Sequence, residues 1–295
     1  MHDISLIICT RNREDMIEEV LVSAKNQTYQ NFEVLVIDDS TNASTREIVQ
    51  NYPEILYIKG DQKGLASARN KGIKASKGKV IVFVDDDVVF EQDYLSNIMN
   101  CFNNSNADFI GGKTHIKFLA PKPEWIEGPL LGVLAFSDYG DELKPYDNHP
   151  KHIPYGCNMA IKRECIEKIG GFSSSKKSLE NEDVIAGNKL RKMGGKLVYC
   201  PEMFLCHKMP PDRLTYSYYK KRYYTQGKSD ISTYYLLKDF SKKDIPLKIL
   251  VHTQRLLESL VLRFFQDIPY KKYYQKLRLY YNFGCIEELL KILFS

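Results

Sequence analysis

Three short polar clusters each follow an apolar run. Thr10-Arg11-Asn12-Arg13 follows Ile4 to Cys9, Asp38-Asp39 follows Glu33 to Ile37, and Asp85-Asp86-Asp87 follows Val80 to Val84. The third is chemically the sharpest. Adjacent carboxylates repel one another and raise each other's pKa unless a cation is present. Asp85 and Asp87, two apart after an extended strand, can face the same way. Carboxylates that project into a cleft, with phosphates to complete the shell, suit Mg²⁺ or Mn²⁺. A helix N-cap for the segment 91–103 would need one Asp, not three. Turn chemistry also favours Asp, Asn and Ser at strand ends, so a single cluster says little. All three on one sheet edge say more, because open parallel sheets bind ligands beyond the carboxyl ends of their strands.

The elements that must position these clusters alternate along the first half. Short apolar runs at 4–9, 33–37, 55–58 and 80–84 read as buried strands. Between them, Met16, Ile17, Val20, Leu21 and Ala24 fall on one helical face, and 45–51 and 64–75 read as helices. This order predicts an α/β fold, a mostly parallel central sheet flanked by helices. Right-handed crossovers then put the strand C-termini on one edge. Residues 120–154 hold six prolines and read as a long irregular excursion, the kind of loop that serves binding. Regular structure is expected again at 157–161 (strand), 163–169 (helix), 182–192 (helix) and 196–199 (strand). From Leu214 onward the apolar spacing is helical, which predicts a helical C-terminal extension.

Composition limits the class. With 295 residues, 43% hydrophobic and 27% charged, the chain suits a large α/β domain or two joined halves, and excludes collagen, coiled coil and wholesale disorder. No run of about 18 apolar residues predicts a membrane span, and Met1-His2-Asp3 does not open a signal peptide. Seven cysteines without a CxxC pair fit a reduced, cytoplasmic chain, and none has nucleophile or zinc-site context. The net charge of +5 is unevenly divided. Residues 208–295 carry 17 Lys and Arg against 8 Asp and Glu, a net of +9, and leave −4 on residues 1–207. The same tail holds 12 of the 20 tyrosines. Such asymmetry suggests a tail that meets phosphate, a membrane surface or nucleic acid.

The ordered set TRNR, DDS, GLASARNKGI, VFVDDDV, GCNMAIKRE, GGF, ENED and CHK resembles a family-2 glycosyltransferase of GT-A fold, over residues 4 to about 230. The resemblance implies that Asp85-Asp86-Asp87 is the DxD motif that binds a divalent metal and the nucleotide-sugar diphosphate. Thr10, Arg11 and Arg13 would then border the nucleotide. Asp39 would hydrogen-bond the base, uracil for a UDP-sugar. Arg69 would touch base or diphosphate, Asp85 the ribose and sugar, and Asp87 the metal, with Asp86 the variable middle position. Gly156, Cys157, Asn158 and Met159 would wall the donor sugar and acceptor, and His207 would reach the metal or diphosphate. Ser40-Thr41-Asn42 departs from the usual glycine or second serine after Asp39. Glu182-Asp183 matches the family's acidic pair at a helix start. Inverting transfer needs a base to take the acceptor hydroxyl proton, and a carboxylate near the metal can do so, while the metal stabilises the leaving diphosphate. Asp183 is assigned as that base, with Glu182 at the sugar. The alternative is that Glu180, Glu182 and Asp183 simply favour a helix N-terminus. His207 could equally be structural.

Other features divide the same way. Trp125, the one tryptophan, could pack on the apolar face of a sugar or plug the core. Arg213, Arg222 and Gly227-Lys228-Ser229 resemble a flexible stretch that covers the donor; a solvated helix face is the plainer reading. The expected organisation is a nucleotide-sugar-binding half at 1–110, an acceptor-binding half at 111–230 and helices at 231–295. The expected activity is Mn²⁺- or Mg²⁺-dependent, inverting transfer from a nucleotide sugar to a glycan or lipid-linked acceptor, in surface polysaccharide synthesis. A sugar nucleotidyltransferase would show a Gly-rich N-terminal loop, which ICTRNRED lacks. A nucleic-acid binder would use the Tyr/Lys run at 218–224, but the acidic body would repel a polyanion. No nucleic acid is therefore expected. The C-terminal helices could meet the inner face of a membrane or a second copy.

Overall fold

The computed structural model describes residues 2–173 and 181–295. Glu180, named above at the expected helix start, lies outside the described residues. The chain forms two compact units. The first takes the chain up to Lys117, residues 135–173 and Glu182–Lys208; the second takes Phe118–Leu134, Asn181 and Met209–Ser295.

The first unit opens with β1 (Ile4–Thr10), α1 (Glu14–Lys25), β2 (Phe32–Asp38), α2 (Ser44–Val49), β3 (Ile55–Lys59), α3 (Leu65–Ala75) and β4 (Val80–Asp85). β1 lies parallel between β2 and β4, and β3 is parallel to β2. Every residue of β1 is buried, because both faces of the sheet are covered. Ile4, Leu6 and Ile8 meet Ile17, Val20 and Leu21 of α1 on one face. Ile7 and Cys9 meet Ala68 and Ile73 of α3 on the other. The register sets Thr10 beside Asp38 and Cys9 beside Asp85, so the three polar clusters do share one edge.

The chain continues through β5 (Val88–Phe90), α4 (Tyr94–Ser105), β6 (Phe109–Phe118), β7 (Lys144–Pro145), β8 (Asn158–Lys162), α5 (Arg163–Lys168), α6 (Glu182–Lys192) and β9 (Leu197–Met209). Among the described residues the sheet has nine strands in the order β3-β2-β1-β4-β8-β6-β9-β5, with β7 on β9. The added pairs β4–β8, β6–β8, β5–β9 and β7–β9 are antiparallel. One alternative falls away and one local expectation changes. The acidic run caps no helix, the reading set aside above: β5 intervenes, and the residue before α4 is Asp93. The strand expected at 196–199 continues as β9 to Met209. Pro201 falls between the β7 register, at Val198 and Tyr199, and the β5 register, at Leu205 to His207, where its missing N–H breaks neither ladder.

The second unit is helical: α7 (Tyr216–Leu236), α8 (Ile245–Leu262) and α9 (Pro269–Phe294), with a 3-10 turn at Gly128–Leu134. Thr215 caps α7 by accepting from the Tyr218 N–H. Arg222 and Gly227-Lys228-Ser229 lie within α7 and Arg213 in the 3-10 turn at Pro211–Leu214 just before it; residue 230, taken as a boundary from the sequence, lies inside α7. A Cβ at Gly227 would lie 2.1 Å from the Tyr281 carbonyl oxygen, and one at Gly284 2.2 Å from that of Tyr224. The two glycines let α7 and α9 cross at backbone contact. Trp125 stacks on Tyr273 and meets Tyr219 and Tyr216 edge-on, so it belongs to the packing of this unit. Tyr219 is fully buried and its hydroxyl donates to the Leu130 carbonyl. At these positions the Tyr-rich run supplies core rather than a stacking platform.

Candidate active site

The acidic turn at the end of β4 is built around charge. Asp86 is buried; its Oδ2 accepts from the Thr10 hydroxyl at 2.7 Å and its Oδ1 from Arg13 Nη1 at 3.0 Å. Arg13 Nη2 reaches Asp87 Oδ2 at 2.7 Å. Burial, and then the neighbouring Asp87, push the Asp86 carboxyl up to about 7 against the pull of Arg13 and Thr10. Thr10, Arg13 and Asp86 therefore hold one another, and Arg13 is a built-in counterion to the turn. Arg11 is exposed.

The β5–β9 register pairs Val88 with His207 and so brings the histidine to Asp87, with Nε2 3.0 Å from Oδ1. The Lys208 N–H donates to the Asp87 carbonyl at 2.8 Å and fixes that backbone. One ligand atom each from Asp85, Asp87 and His207 lies within 4.8 Å of the others. Two carboxylates and one imidazole suit a borderline divalent ion such as Mn²⁺. This donor set could hold the cation that the sequence calls for.

Arg69 joins this turn to the second acidic pair. It projects from α3, is 2% exposed, and sits against the rings of Phe83 and Phe172. Its Nη1 donates to Glu182 Oε1 at 2.5 Å and its Nη2 to the Gly156 carbonyl at 2.9 Å, with Asp85 Oδ1 at 3.6 Å. A Cβ at position 156 would lie 2.6 Å from Arg69 Nη2, so a larger residue there would have to push the guanidinium off its partners. Beside it, Asp183 accepts from the Gly156 N–H through Oδ2 at 2.9 Å and from the Val184 N–H through Oδ1 at 2.7 Å. Burial, and then the charge of Glu182, raise the Asp183 carboxyl to about 7; Arg69 and the two N–H groups oppose the rise. The Cys157 thiol is pushed far up by burial and by the charges of Asp85, Asp87 and Asp183, so it stays a neutral wall between the two acidic groups.

The β2 cluster is split between support and site. Asp38 is fully buried; burial raises its pKa, but hydrogen bonds from Ser40 and Tyr57 and the charge of Lys59 outweigh that and hold it low. Asp39 is buried too, and its Oδ1 accepts from the Gln62 N–H at 3.0 Å. Gly60, which the sequence reading missed, makes that position available. A Cβ there would lie 1.8 Å from Asp39 Oδ1. Its only sequence signal is a glycine directly after a strand. Gly60→Ala is expected to displace Asp39 and raise the KM for the nucleotide sugar roughly tenfold, about 1.4 kcal/mol, with kcat nearly unchanged. Steady-state kinetics with donor varied would check this.

Asn158, expected at a sugar, is instead fully engaged inside the fold. Its Oδ1 accepts from Tyr94, and its Nδ2 faces the Lys113 carbonyl, the Thr114 hydroxyl and the Met203 carbonyl. It ties β8 to β6, β9 and α4. Trp125 lies in the second unit, as described above.

A parallel β1–β4 half carrying acids at its strand ends, extended by antiparallel strands, is the architecture of a GT-A glycosyltransferase. The chain belongs to glycosyl transferase family 2, whose profile matches residues 5–170. It is 22% identical over 241 residues to a glucosyl-dolichyl phosphate glucuronosyltransferase of Haloferax volcanii, covering 77% of this chain and 75% of that protein. It is 28% identical over 186 residues to the UDP-Glc:alpha-D-GlcNAc-diphosphoundecaprenol beta-1,3-glucosyltransferase WfaP of Escherichia coli, covering 62% and 68%. In fold it resembles the mannosyltransferase of Pyrobaculum calidifontis solved with GDP-Man and Mn²⁺: TM-score 0.60, 17% identity, 98% of this chain and 73% of that one.

Proposed function

We propose that the protein is a metal-dependent, inverting glycosyltransferase that moves a sugar from a UDP-sugar to a hydroxyl of a glycan or lipid-linked acceptor, at the cytoplasmic face of a membrane and in surface polysaccharide synthesis. The observation that carries the reading is the pairing of two acidic groups through Arg69: Asp85 and Asp87 with His207 on one side, Glu182 and Asp183 on the other. The UDP donor and the lipid-linked acceptor are supported by the WfaP relative, whose name specifies UDP-Glc and a diphosphoundecaprenol acceptor. Mn²⁺ is supported by the mannosyltransferase neighbour and by the nitrogen in the donor set.

Asp85, Asp87 and His207 would hold the cation, Mn²⁺ before Mg²⁺. When bound, the metal stabilises negative charge on the departing diphosphate. Asp39 accepts a hydrogen bond from the base, and Thr10, Arg11 and Arg13 border the nucleotide. Arg69 fixes the Gly156 carbonyl, and the Gly156 N–H aims Asp183. Ionised Asp183 takes the acceptor hydroxyl proton as that oxygen bonds to the sugar carbon and the bond to the diphosphate breaks. Glu182 shares Arg69 and keeps the region negative.

The test is thermal. UDP with Mn²⁺ is expected to raise Tm, by about 2.7 kcal/mol of stabilisation at a hundredfold excess over Kd, and EDTA to cancel the rise. Asp87→Asn is expected to lose the metal-dependent part of the shift while folding normally. An equal shift in this variant, or the same shift with EDTA present, would overturn the assignment. A screen of nucleotide sugars for metal-dependent hydrolysis would then identify the donor.

A further inference from the structure

A row of exposed apolar side chains runs along α8. The inward side of this helix is Ile245, His252 and Ser259, seven residues apart and buried. The opposite side carries Leu247, Leu250, Leu257 and Val261, and the chain just beyond the helix adds Phe264 and Phe265; these six are 57 to 74% exposed. At helical spacing they form one stripe about 27 Å long. A stripe of this size on a soluble surface marks an interaction site.

Charge selects the occupant. Residues 242–272 hold seven Lys and Arg against three Asp and Glu. Lys242 and Lys243 precede the stripe, and Lys271 and Lys272 follow it. Arg263 lies over the Phe264 ring, 4.6 Å from its centroid, with its charge at the edge of the apolar stripe. A second copy of the chain would set one basic rim against another. An anionic lipid surface complements both the rim and the stripe. No helix among the described residues is long and apolar enough to cross a membrane, so α8 would lie in the plane of the interface.

We infer that the outer face of α8, with Phe264 and Phe265, docks the protein on an anionic bilayer. The inference deepens the proposed use of a lipid-linked acceptor and rests on that reading for its purpose, since such an acceptor presents its sugar at the bilayer surface. The experiment is flotation of the full chain with vesicles of phosphatidylcholine alone, or with roughly equal phosphatidylglycerol. The wild type is expected to float with the mixed vesicles and to stay behind with phosphatidylcholine. Phe264→Asp with Phe265→Asp, both exposed and so tolerated by the fold, is expected to cut the floated fraction at least about tenfold. Lys242→Glu with Lys243→Glu is expected to weaken it in proportion to phosphatidylglycerol content. The Tm shift with UDP and Mn²⁺, read on the same samples, is expected to be unchanged. Wild type that does not float with mixed vesicles overturns the docking surface. So does a dimer in sedimentation equilibrium that the two Asp substitutions dissolve without vesicle binding. Loss of the UDP shift with flotation intact would instead count against the glycosyltransferase reading.

Discussion

Asp183→Asn is expected to lower kcat by about 10²- to 10⁴-fold, the usual worth of a positioned general base, while leaving the UDP–Mn²⁺ shift in Tm in place. The substitution is nearly isosteric. Its amide oxygen can keep one of the N–H bonds that Asp183 now accepts, from Gly156 or Val184, so the local backbone has little reason to move. What disappears is the capacity to take a proton. Turnover near the wild-type level would remove Asp183 from the proposed role. Loss of both turnover and the nucleotide shift would make it a structural residue instead.

The pH profile gives an independent check on the same residue. Burial and the charge of Glu182 raise the Asp183 carboxyl to about 7. The base is the ionised form, so activity is present above that pH and is lost as pH falls through it. Glu182→Gln removes the second of the two causes and is expected to move the acid limb of kcat/KM to lower pH. A limb that stays in place would mean another group controls the profile.

The parallel half of the fold was legible because each of its strands is a short apolar run ended by polar or charged residues, acids at β2 and β4, and buried parallel strands look like that. The antiparallel half was less so. β8 could be seen at 157–161, but its pairing with β4 spans tens of residues and leaves no local pattern. From sequence β9 reads only to Tyr199, because a proline such as Pro201 normally ends a strand. The site divided along the same line. Asp85 and Asp87 carry their own signal, three acids where a turn needs one. His207 does not: it reaches Asp87 only because β5 pairs with β9. The Arg69–Glu182 pair joins residues 113 apart in sequence. The resemblance to a known family named both residues, but their contact with each other came only from the fold. Trp125 offered two readings of equal weight, and its packing on Tyr216, Tyr219 and Tyr273 is a matter of tertiary context that no spacing rule contains.

Arg69 is also where the largest stability effect is expected. Arg69→Met keeps the apolar stem between Phe83 and Phe172 and removes the guanidinium. Glu182, itself buried, then faces Asp85 and Asp183 without a counter-charge. Breaking one side of a buried pair costs about 3–5 kcal/mol, more than the pair contributes over an apolar replacement, because the remaining charge is stranded. In a chain of this length the fall in Tm is on the order of 10 °C. Adding Glu182→Gln to Arg69→Met removes the stranded charge and is expected to recover much of the loss, so the double variant should be more stable than the Arg69 variant alone. A plain packing role for Arg69 predicts no such recovery, and the thermal denaturation of the four proteins separates the two. The catalytic consequence follows from the same geometry. Without Arg69 the Gly156 carbonyl loses its donor, and the Gly156 N–H no longer aims Asp183 firmly. In the stabilised double variant kcat is therefore expected to remain depressed with the metal-dependent nucleotide shift in place. Full recovery of kcat there would show that Arg69 supports the fold alone and leaves the aim of Asp183 to other contacts.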